Sequence, residues 1–522
     1  MGSGVPTGRD RAMALCVTDT LTGEKRPFEP RDPEEVLLYY CGLTVSDPPH
    51  LGHARSWVHV DVMARWLSHL GYDVRHVENF TDVNEKIVAR IGENGLGESE
   101  EEVARTYIGD TLAAMRGLNL RRATVYPRVS EHVPEVIELI ETLIARDYAY
   151  ESSGSVYFDV TEFEGYGKLS NQRIEGIEAQ DDSDERAEKR HPADFALWKA
   201  GGASAESVAT HRHEGVEAPA EPSEGRVFES PWGEGRPGWH IECSAMSMAH
   251  LGETIDIHVG GRDLVFPHHE NEIAQSEAAS GTEFARYWLH ADLFELSEEK
   301  MSSSLGNFVT VERAIEEYGT NVLRTFLTAG AYNSTQTYSE VAITEAKERF
   351  ERLSRAYHRA IEAIDGPDAR TKVADPALRE AIETARADFT AALNDDFDTR
   401  EGQAALLALA GGVNRHLDEG DGGTEKANEA DGDGHGYVYR GLRRAIEAFE
   451  KFGEGVLGLD FAEAGAIEGK IELASDLIEL VLDSRERARE AGEYDRADAL
   501  RAELRDLGVE IEDTAEGTDY RY

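Results

Sequence analysis

The strongest constraint on the fold is the apolar pattern of residues 36–77. Residues 36–41 form a short apolar run, typical of a buried strand. After a glycine-containing turn, a helix is predicted to begin near Ala54, with apolar side chains on one stripe, and to stop at Gly71. A second strand over 73–77 completes a strand–helix–strand unit, which favours a parallel sheet of the Rossmann type and hence an α/β catalytic domain.

Pattern and composition divide the rest of the chain. Acidic stretches at 178–190 and 200–227 are predicted to be solvated loops, sheet pattern returns at 254–266, and helical pattern dominates from about 340 except in a loop at 418–436. The predicted parts are 1–148, first half of the sheet domain; 149–232, a connective insertion; 233–295, second half of the sheet domain; 296–340, a loop and linking helices; 341–460, a helical bundle; and 461–522, a small subdomain.

Composition narrows the class of protein. The chain has 522 residues, enough for about three or four domains, and 40% of them are hydrophobic, so it is globular. It has no apolar run of roughly 18 residues and no apolar secretory core, so we expect no membrane span and a cytoplasmic location. Its three cysteines, Cys16, Cys41 and Cys243, argue against a disulfide framework and leave thiols free for a metal or for chemistry.

The net charge of −48 is spread along the chain. In ordinary salt, such a chain repels both itself and RNA. At about 1 M salt the Debye length falls to about 3 Å, which screens both repulsions. We interpret the charge as adaptation to a salty cytoplasm. It therefore says little about partners, although nucleic-acid binders usually carry basic faces.

The tetrapeptide His50-Leu51-Gly52-His53 lies between the first strand and its helix. In an open α/β sheet, ligands bind at the carboxyl ends of strands, and a helix N-terminus offers N–H groups and a positive dipole end to phosphate. Two imidazoles would add hydrogen-bond donors, and Gly52 would let a base or ribose approach the backbone. The alternative is a turn with two exposed histidines.

A second candidate for nucleotide binding is Lys300-Met301-Ser302-Ser303-Ser304. A mobile loop with a lysine and hydroxyls could close over a triphosphate and stabilise charge during attack at the α-phosphate. Alone, this segment is a polar loop. Together, the two segments resemble the H-x-G-H and K-M-S-x-S signatures of class I aminoacyl-tRNA synthetases.

Four potential metal ligands stand out: Cys41, Cys243, His268 and Glu272. The last two are four residues apart, so they would share a face if their segment is helical. Read singly, Cys41 could be a buried small hydrophobe, and a lone histidine or glutamate is usually a surface group. The spacing along the chain is too wide to prove that the four converge.

Three segments carry a closer resemblance. They are similar to cysteinyl-tRNA synthetases rather than to class I enzymes at large: Tyr40–Val45, Gly238–Met246 and Gly260–Gln275. Shorter matching stretches are 79–82, 193–199, 305–307, 497–501 and 508–514. The likeness covers nearly the whole chain outside the acidic loops and 418–436. Together with the acidic composition, it implies a family member from a halophilic archaeon.

The resemblance implies roles for individual residues. It makes Cys41, Cys243, His268 and Glu272 the ligands of about one zinc ion per chain. Residues implied around the substrate cysteine are Thr81, Trp239 and His258. Residues implied for ATP, which would be accompanied by Mg²⁺, are His50, Gly52, His53, Gly260, Gly261, Asp263, Lys300, Met301, Ser302, Ser303 and Ser304. The expected catalytic residues among these are His50, His53, Lys300 and Ser303.

Two of these assignments, the adenosine segment and the second signature, have an alternative interpretation or depart from the family pattern. The glycines before Asp263 would let adenine approach, and Asp263 would accept from ribose hydroxyls, although the segment also reads as an ordinary strand-to-helix turn. The family's second signature usually reads K-M-S-K-S, and here Ser303 replaces a lysine that normally contacts the ATP phosphates. We expect turnover to persist through Lys300, assisted by Ser302 and Ser304.

The resemblance implies a cysteine–tRNA ligase reaction in two steps. The cysteine carboxylate attacks the ATP α-phosphate, giving cysteinyl-adenylate and pyrophosphate, and a ribose hydroxyl at the 3′ end of tRNA(Cys) then attacks the adenylate. Zinc prefers thiolate to a neutral hydroxyl, so serine would be rejected. The helical C-terminal part would read the anticodon, with the arginine-rich segments 440–444 and 485–501 as candidates, and the enzyme is expected to be a monomer.

Three other functions fit parts of the sequence. A cysteine ligase that acts on an amino sugar, as in the mycothiol pathway, needs no anticodon module, so the long helical C-terminus argues against it. A zinc hydrolase built on His268, His269 and Glu272 would not need the nucleotide motifs. A catalytically silent RNA-binding relative is suggested by Ser303, and ATP–pyrophosphate exchange with cysteine would distinguish it.

Overall fold

The computed structural model describes most of the chain. The described residues are 14–93, 95–176, 188–213, 216, 223–292, 294–296, 299–300, 309–366, 369–370, 375–421, 437–462, 478, 480–482, 484–489, 492–506, 509–514 and 517–521. The chain divides into two compact units, Met1–Leu459 and Asp460–Tyr522.

A four-stranded parallel sheet organises the first unit, which confirms the prediction of a Rossmann-type domain. Its strands are β3 (Glu35–Tyr40), β4 (Asp73–Glu78), β9 (Ile255–Gly261) and β10 (Ala285–Ala291). They lie side by side in the order β10, β9, β3, β4. Parallel neighbours need a crossover, and helix α1 (Leu51–His69) supplies the one between β3 and β4.

Helix α1 begins at Leu51, three residues before the predicted Ala54, because His50 takes the N-cap position. It ends at His69, and Gly71 follows with a φ of 102°, as expected for a residue that stops a helix. The buried side chains along α1 include Trp57 and Trp66.

Three helices follow β4: α2 (Glu85–Val88), α3 (Glu100–Gly117) and α4 (Val133–Ala145). The connective region then forms an antiparallel sheet whose strands are β5 (Ala149–Ser152), β6 (Ser155–Phe158), β7 (Phe195–Ala200) and β8 (Gly235–Pro237). Its core joins the stacked rings of Phe158 and Phe195, 5.0 Å apart, to the buried face of α4.

The prediction of a solvated loop over 200–227 is wrong for its first part, which contains helix α5 (Ala205–His211). The Ser204 hydroxyl caps it by accepting from the Ser207 N–H. Val208, buried in the same cluster as Ile87, packs this helix against α2. Of the predicted loop at 178–190, residues 178–187 lie outside the described part of the chain.

The second half of the sheet domain adds helices α6 (Trp239–Leu251) and α7 (Glu270–Ser280). The strand predicted over 254–266 is shorter, since β9 ends at Gly261. A 3-10 turn, Arg262–Leu264, and a π-helical turn, Val265–His269, then lead into α7. After β10 come β11 (Phe294–Leu296), β12 (Glu299–Lys300), α8 (Val311–Tyr318), α9 (Thr320–Leu327) and β13 (Gln336–Tyr338).

The remainder of the first unit is a packed group of helices. They are α10 (Glu340–Asp365), α11 (Pro376–Asn394), α12 (Thr399–Asp421) and α13 (Tyr439–Ala448). Helix α12 runs to Asp421, past the predicted loop start at 418, and 422–436 lie outside the described residues. Short pairs of strands are β1 (Cys16–Asp19) with β2 (Glu24–Pro27), and β14 (Ala369–Arg370) with β15 (Tyr437–Val438).

A buried ion pair ties α1 to α9. The Arg324 guanidinium, which is fully buried, lies 2.7 Å from an Asp61 carboxylate oxygen and also donates to the backbone carbonyls of Leu118 and Leu457. Asp61 accepts a further hydrogen bond from Arg65 at 2.8 Å. The helix that carries the H-x-G-H signature is thereby fixed to the helical half of this unit.

The second unit contains helix α14 (Tyr494–Asp506) and a hairpin of β16 (Glu510–Thr514) and β17 (Gly517–Arg521). Ile478, Leu504 and Val509 form its small buried cluster. Within the described ranges of both units, none of the helices combines the length and the apolar character that a membrane crossing requires.

Candidate active site

A cleft of about 730 Å³ lies at the carboxyl ends of the central strands. Its lining includes residues that follow each strand: Cys41 after β3, Thr81 after β4, Asp263 after β9 and Asp292 after β10. Open parallel sheets bind their ligands at this edge, because loops from neighbouring strands converge there.

The H-x-G-H segment forms the N-terminus of α1 and lines the cleft. The His50 Nδ1 atom accepts from the Gly52 N–H at 3.1 Å, and the His53 Nδ1 atom accepts from the His50 N–H at 3.3 Å. The two rings stack with their centroids 3.8 Å apart. A Cβ atom at position 52 would lie 2.8 Å from the His50 ring, so this arrangement requires glycine.

Both imidazoles are neutral near pH 7. Burial lowers the pKa of His50 to about 4, and burial together with the neighbouring His50 ring lowers the pKa of His53 well below its usual value. A neutral imidazole that accepts at Nδ1 carries its proton on Nε2. Each ring therefore offers an Nε2–H donor, in addition to the backbone N–H groups of the helix N-terminus.

Residues that follow the K-M-S-x-S signature form backbone hydrogen bonds around the start of the H-x-G-H segment. The Leu51 N–H donates to the Val309 carbonyl at 3.0 Å, and the Val311 N–H donates to the Pro49 carbonyl at 2.9 Å. Lys300 ends β12, where it pairs with Glu295 of β11. Met301, Ser302, Ser303 and Ser304 lie outside the described residues, so the expectations for this signature stay predictions.

The four candidate metal ligands lie together in the structure. Along the chain, Cys41 is 202 residues from Cys243 and 227 residues from His268. Cys41 follows β3, Cys243 is on α6, His268 precedes α7 and Glu272 is in its first turn. All four are buried, and their donor atoms lie within 4.8 Å of one another.

The spacing of these donor atoms suits a small tetrahedral ion. Zinc bonds of about 2.3 Å to sulfur and about 2.0 Å to nitrogen or oxygen set neighbouring ligand atoms about 3.3–3.8 Å apart. The Cys41 and Cys243 sulfurs are 3.6 Å apart, and the Cys41 sulfur lies 3.4 Å from His268 Nε2. Glu272 Oε1 is 3.2 Å from the same nitrogen, yet it is buried and accepts no hydrogen bond from the residues that the structure describes.

Neighbouring groups orient these ligands. The His258 Nε2 atom bonds Glu272 Oε2 at 3.0 Å, which leaves Oε1 to face the two sulfurs. The His268 Nδ1 atom lies 3.0 Å from His240 Nδ1, so its Nε2 atom points at the donor set. Such outer partners are typical of metal-binding histidines and carboxylates. The donor set, its spacing and its supports all fit zinc.

The three residues predicted around the substrate cysteine differ in position. Thr81 lines the cleft and donates to Glu242 Oε2 at 3.2 Å, and Trp239 lines it with 41% of its surface exposed, its ring 4.4 Å from the His268 ring. His258 is fully buried and stands behind Glu272 instead of lining the cleft.

Of the residues predicted to contact adenosine over 260–263, only some line the cleft. Gly261 and Asp263 line the cleft, whereas Gly260 has another neighbour, since a Cβ atom there would lie 2.4 Å from the His269 ring. The glycine at 260 thus leaves room for a buried histidine.

Sequence reasoning missed an ion-pair group beside the H-x-G-H segment. The Arg90 guanidinium contacts Asp47 at 3.2 Å and donates to the His211 carbonyl. His213 lies 3.0 Å from both Asp47 and Glu93. No local pattern reveals these contacts, because 43 residues separate Asp47 from Arg90 and 120 separate Glu93 from His213.

Family models match three parts of the chain. The class I tRNA synthetase (C) catalytic domain matches residues 27–348, the DALR domain matches 388–462, and the cysteinyl-tRNA ligase anticodon binding domain matches 475–521. The first match alone covers more than half of the chain.

Relatives match over almost the whole length. The chain is 63% identical to the cysteine–tRNA ligase of Haloarcula marismortui over 512 residues, which are 98% of this chain and 100% of the relative. It is 57% identical to that of Halobacterium salinarum over 509 residues, again 98% of this chain and 100% of the relative. These two organisms are halophilic archaea, in agreement with the acidic composition. The identity to the relative in Thermococcus gammatolerans is 42% over 513 residues, 98% of this chain and 99% of the relative.

Solved structures share the fold at low identity. Methionyl-tRNA synthetase of Mycobacterium tuberculosis, in complex with methionyl-adenylate, superposes with a TM-score of 0.59 at 16% identity, covering 80% of this chain and 91% of that one. A putative arginyl-tRNA synthetase of Campylobacter jejuni superposes with a TM-score of 0.53 at 14% identity, covering 83% and 94%. The architecture, the matched domains and the full-length relatives together show that this chain belongs to the cysteine–tRNA ligase family of class I tRNA synthetases.

Proposed function

We propose that the chain ligates cysteine to tRNA(Cys), using ATP. One observation carries the proposal: a buried donor set with two sulfurs opens into the same cleft as the N-terminus of the H-x-G-H helix. A site for a thiol-bearing substrate thus adjoins a site for phosphate.

Cys41, Cys243, His268 and Glu272 would hold one zinc ion. When bound, that ion supplies a Lewis acid that favours the thiolate of cysteine over the hydroxyl of serine. Thr81 and Trp239, which line the cleft beside the donor set, would shape the pocket for the substrate. His258 would act as a positioning residue, because its contact is with Glu272.

In the first step a carboxylate oxygen of cysteine attacks the α-phosphorus of ATP. A new P–O bond forms, the bond to the bridging oxygen of the β-phosphate breaks, and pyrophosphate leaves without proton transfer. The Nε2–H groups of His50 and His53 and the positive end of α1 would stabilise the charge on the phosphates. Lys300, with Ser302, Ser303 and Ser304, would add contacts to the phosphates, and Mg²⁺ would accompany ATP.

The adenosine would lie beside Gly261 and Asp263, where a carboxylate can accept from ribose hydroxyls. In the second step a ribose hydroxyl of tRNA attacks the carbonyl carbon of the adenylate. An ester bond forms, the mixed anhydride breaks, and AMP leaves while the hydroxyl proton passes to AMP or solvent.

The C-terminal half supports tRNA over an amino sugar as the acceptor. Residues 475–521 match the cysteinyl-tRNA ligase anticodon binding domain, and an amino-sugar ligase has no use for such a domain. Residues 388–462 match the DALR domain. We propose that the helices over 341–460 and the subdomain over 461–522 bind the anticodon region, and that the enzyme acts as a monomer in the cytoplasm.

ATP–pyrophosphate exchange tests the first step. We expect exchange that depends on cysteine and not on serine, and that falls strongly in Lys300→Ala. Acceptor assays with radioactive cysteine then compare tRNA with a glucosamine-containing acceptor, and only tRNA should be charged. Absence of cysteine-dependent exchange would leave the silent RNA-binding relative as the better account, and charging of the amino sugar would favour the rival ligase.

A further inference from the structure

Two cations on one wall of the cleft have no acidic partner among the described residues. Lys86 of α2 is exposed and Arg212, which follows α5, is half-buried, and both line the cleft. Among the described residues, no carboxylate forms an ion pair with either side chain, and Arg212 Nη1 has no hydrogen-bond partner. The chain has 102 acidic residues against 54 lysines and arginines. Two cations in its functional cleft that form no ion pair within the described part of the chain therefore call for a ligand.

The acidic groups nearby already have other partners. Glu85 lies 2.5 Å from Arg236, and Asp47 is held by Arg90 and His213. Glu93 is 3.0 Å from His213. These contacts hold the wall, and within the described ranges none of them supplies a counter-charge to Lys86 or Arg212.

The wall is also held by apolar packing. Ile87 and Val88 of α2 share a buried cluster with Val208 of α5. Lys86 and Arg212 adjoin these two helices, so the packing fixes the backbone that carries them. Holding the backbone in place lowers the entropic cost of bringing both cations to one anion.

The strand order places this wall opposite the adenosine side. Gly261 ends β9 and Asp263 follows it, and β9 lies on one side of β3. Lys86 follows β4, which lies on the other side of β3. Cys41, at the end of β3, stands between them. An acyl acceptor and the departing AMP cannot occupy the same space, so the acceptor must reach the cysteinyl group from the β4 side.

We propose that Lys86 and Arg212 bind the backbone phosphodiester of the 3′-terminal nucleotides of tRNA and so position its ribose hydroxyl for the second step. This inference rests on the proposed function. The ligand is an anionic phosphodiester, and the phosphates of ATP are the other source of the same chemistry. The two sources can be distinguished by the step that is measured. ATP–pyrophosphate exchange requires ATP but no tRNA, whereas charging requires both.

The test compares the wild type with Lys86→Gln, Arg212→Gln and the double variant. In each, we expect cysteine-dependent ATP–pyrophosphate exchange within about twofold of the wild type, which also shows that the cleft is folded. The KM for tRNA in charging should rise about tenfold or more in the double variant, and Arg212→Lys should recover part of the loss. Arg105→Gln removes a charge from an exposed helical pair on α3 and serves as the matched control.

Binding to tRNA that lacks its 3′-terminal nucleotides supplies a second readout. The double variant and the wild type should bind this shortened tRNA equally, because it lacks the phosphodiester that Lys86 and Arg212 are proposed to bind. Unchanged KM for tRNA, or equal losses with full and shortened tRNA, overturns the inference while the proposed function stands. Loss of exchange in the variants assigns the cations to ATP, and a wild type that charges no tRNA removes the proposed function and this inference together.

Discussion

Acid should destabilise the catalytic part of the chain through a buried neutral histidine, His59 of α1. Its side chain is 2% exposed. Burial, aided by the Arg55 and Arg324 guanidinia, lowers its pKa from 6.5 to about 3 against a smaller opposing effect of the Leu327 backbone. In the unfolded chain the same imidazole takes up a proton near pH 6.5. The unfolded state therefore binds more protons as the pH falls from 6.5 towards 3, and stability is lost over that range.

The size of the effect follows from the gap between the two pKa values. One pKa unit corresponds to about 1.36 kcal/mol, so at pH 5, about 1.5 units below 6.5, His59 costs about 2 kcal/mol of the free energy of unfolding. Near pH 7 the cost is close to zero. His59→Leu and His59→Gln both remove the titrating group, and they differ in polarity, so each controls for the other.

Urea unfolding followed by tryptophan fluorescence measures the effect, because all six tryptophans lie between residues 57 and 288. The free energy of unfolding of each variant, relative to the wild type, should improve by about 2 kcal/mol between pH 7 and pH 5. Protonation of the many carboxylates affects all three proteins alike and cancels in this comparison. An equal pH dependence in the wild type and both variants would refute the reasoning.

Three further changes have expected outcomes. Glu78 is buried beside Trp57, and burial raises its pKa to about 8, so stability falls as the pH rises from 4.5 to 8. Glu78→Gln should therefore become more stable relative to the wild type by about 3 kcal/mol between pH 4.5 and 7. A difference in the free energy of unfolding, measured with urea, that does not change with pH would contradict this. Arg324→Met should cost about 3 kcal/mol, because it leaves buried Asp61 with one cation fewer, and an unchanged melting temperature would speak against that ion pair. Cys243→Ser should raise the cysteine concentration for half-maximal exchange about tenfold or more with little change for ATP, and equal cysteine dependence would exclude Cys243 from the substrate site.

Sequence periodicity predicted three strands of the central sheet, but it predicted neither the fourth strand, β10, nor all of the boundaries. The apolar run at 36–41 and the return to strand at 73–77 have the strong pattern of a buried parallel sheet. The start of α1 was placed late because its cap is His50, whereas the usual capping residues are serine, threonine, aspartate and asparagine. Helix α5 was missed because it is short and buries only Val208.

The metal-binding candidates came from resemblance, since their separation along the chain carries no local signal. Cys41 and Cys243 are 202 residues apart, yet the fold brings their sulfurs to 3.6 Å. The sequence could not predict which way the side chain of a residue near these candidates faces. His258 was predicted beside the substrate, and the structure places it behind Glu272.

Contacts that depend on the packing of the connective region could not be predicted at all. The 200–227 stretch is acidic and poor in large apolar residues, so composition indicated solvated chain. Its short helix instead forms a wall of the cleft and brings Arg212 to it. That placement follows from Val208 packing on α2, a contact between segments more than a hundred residues apart along the chain.

Metal analysis of the purified, active protein tests the central claim most directly. Mass spectrometry of metals, on protein whose cysteine-dependent exchange rate has been measured, should find about one zinc per chain. Removal of that zinc with a chelator should abolish exchange, and its return should restore it. Full exchange activity in protein that holds no zinc would contradict the claim that Cys41, Cys243, His268 and Glu272 form the centre that recognises cysteine.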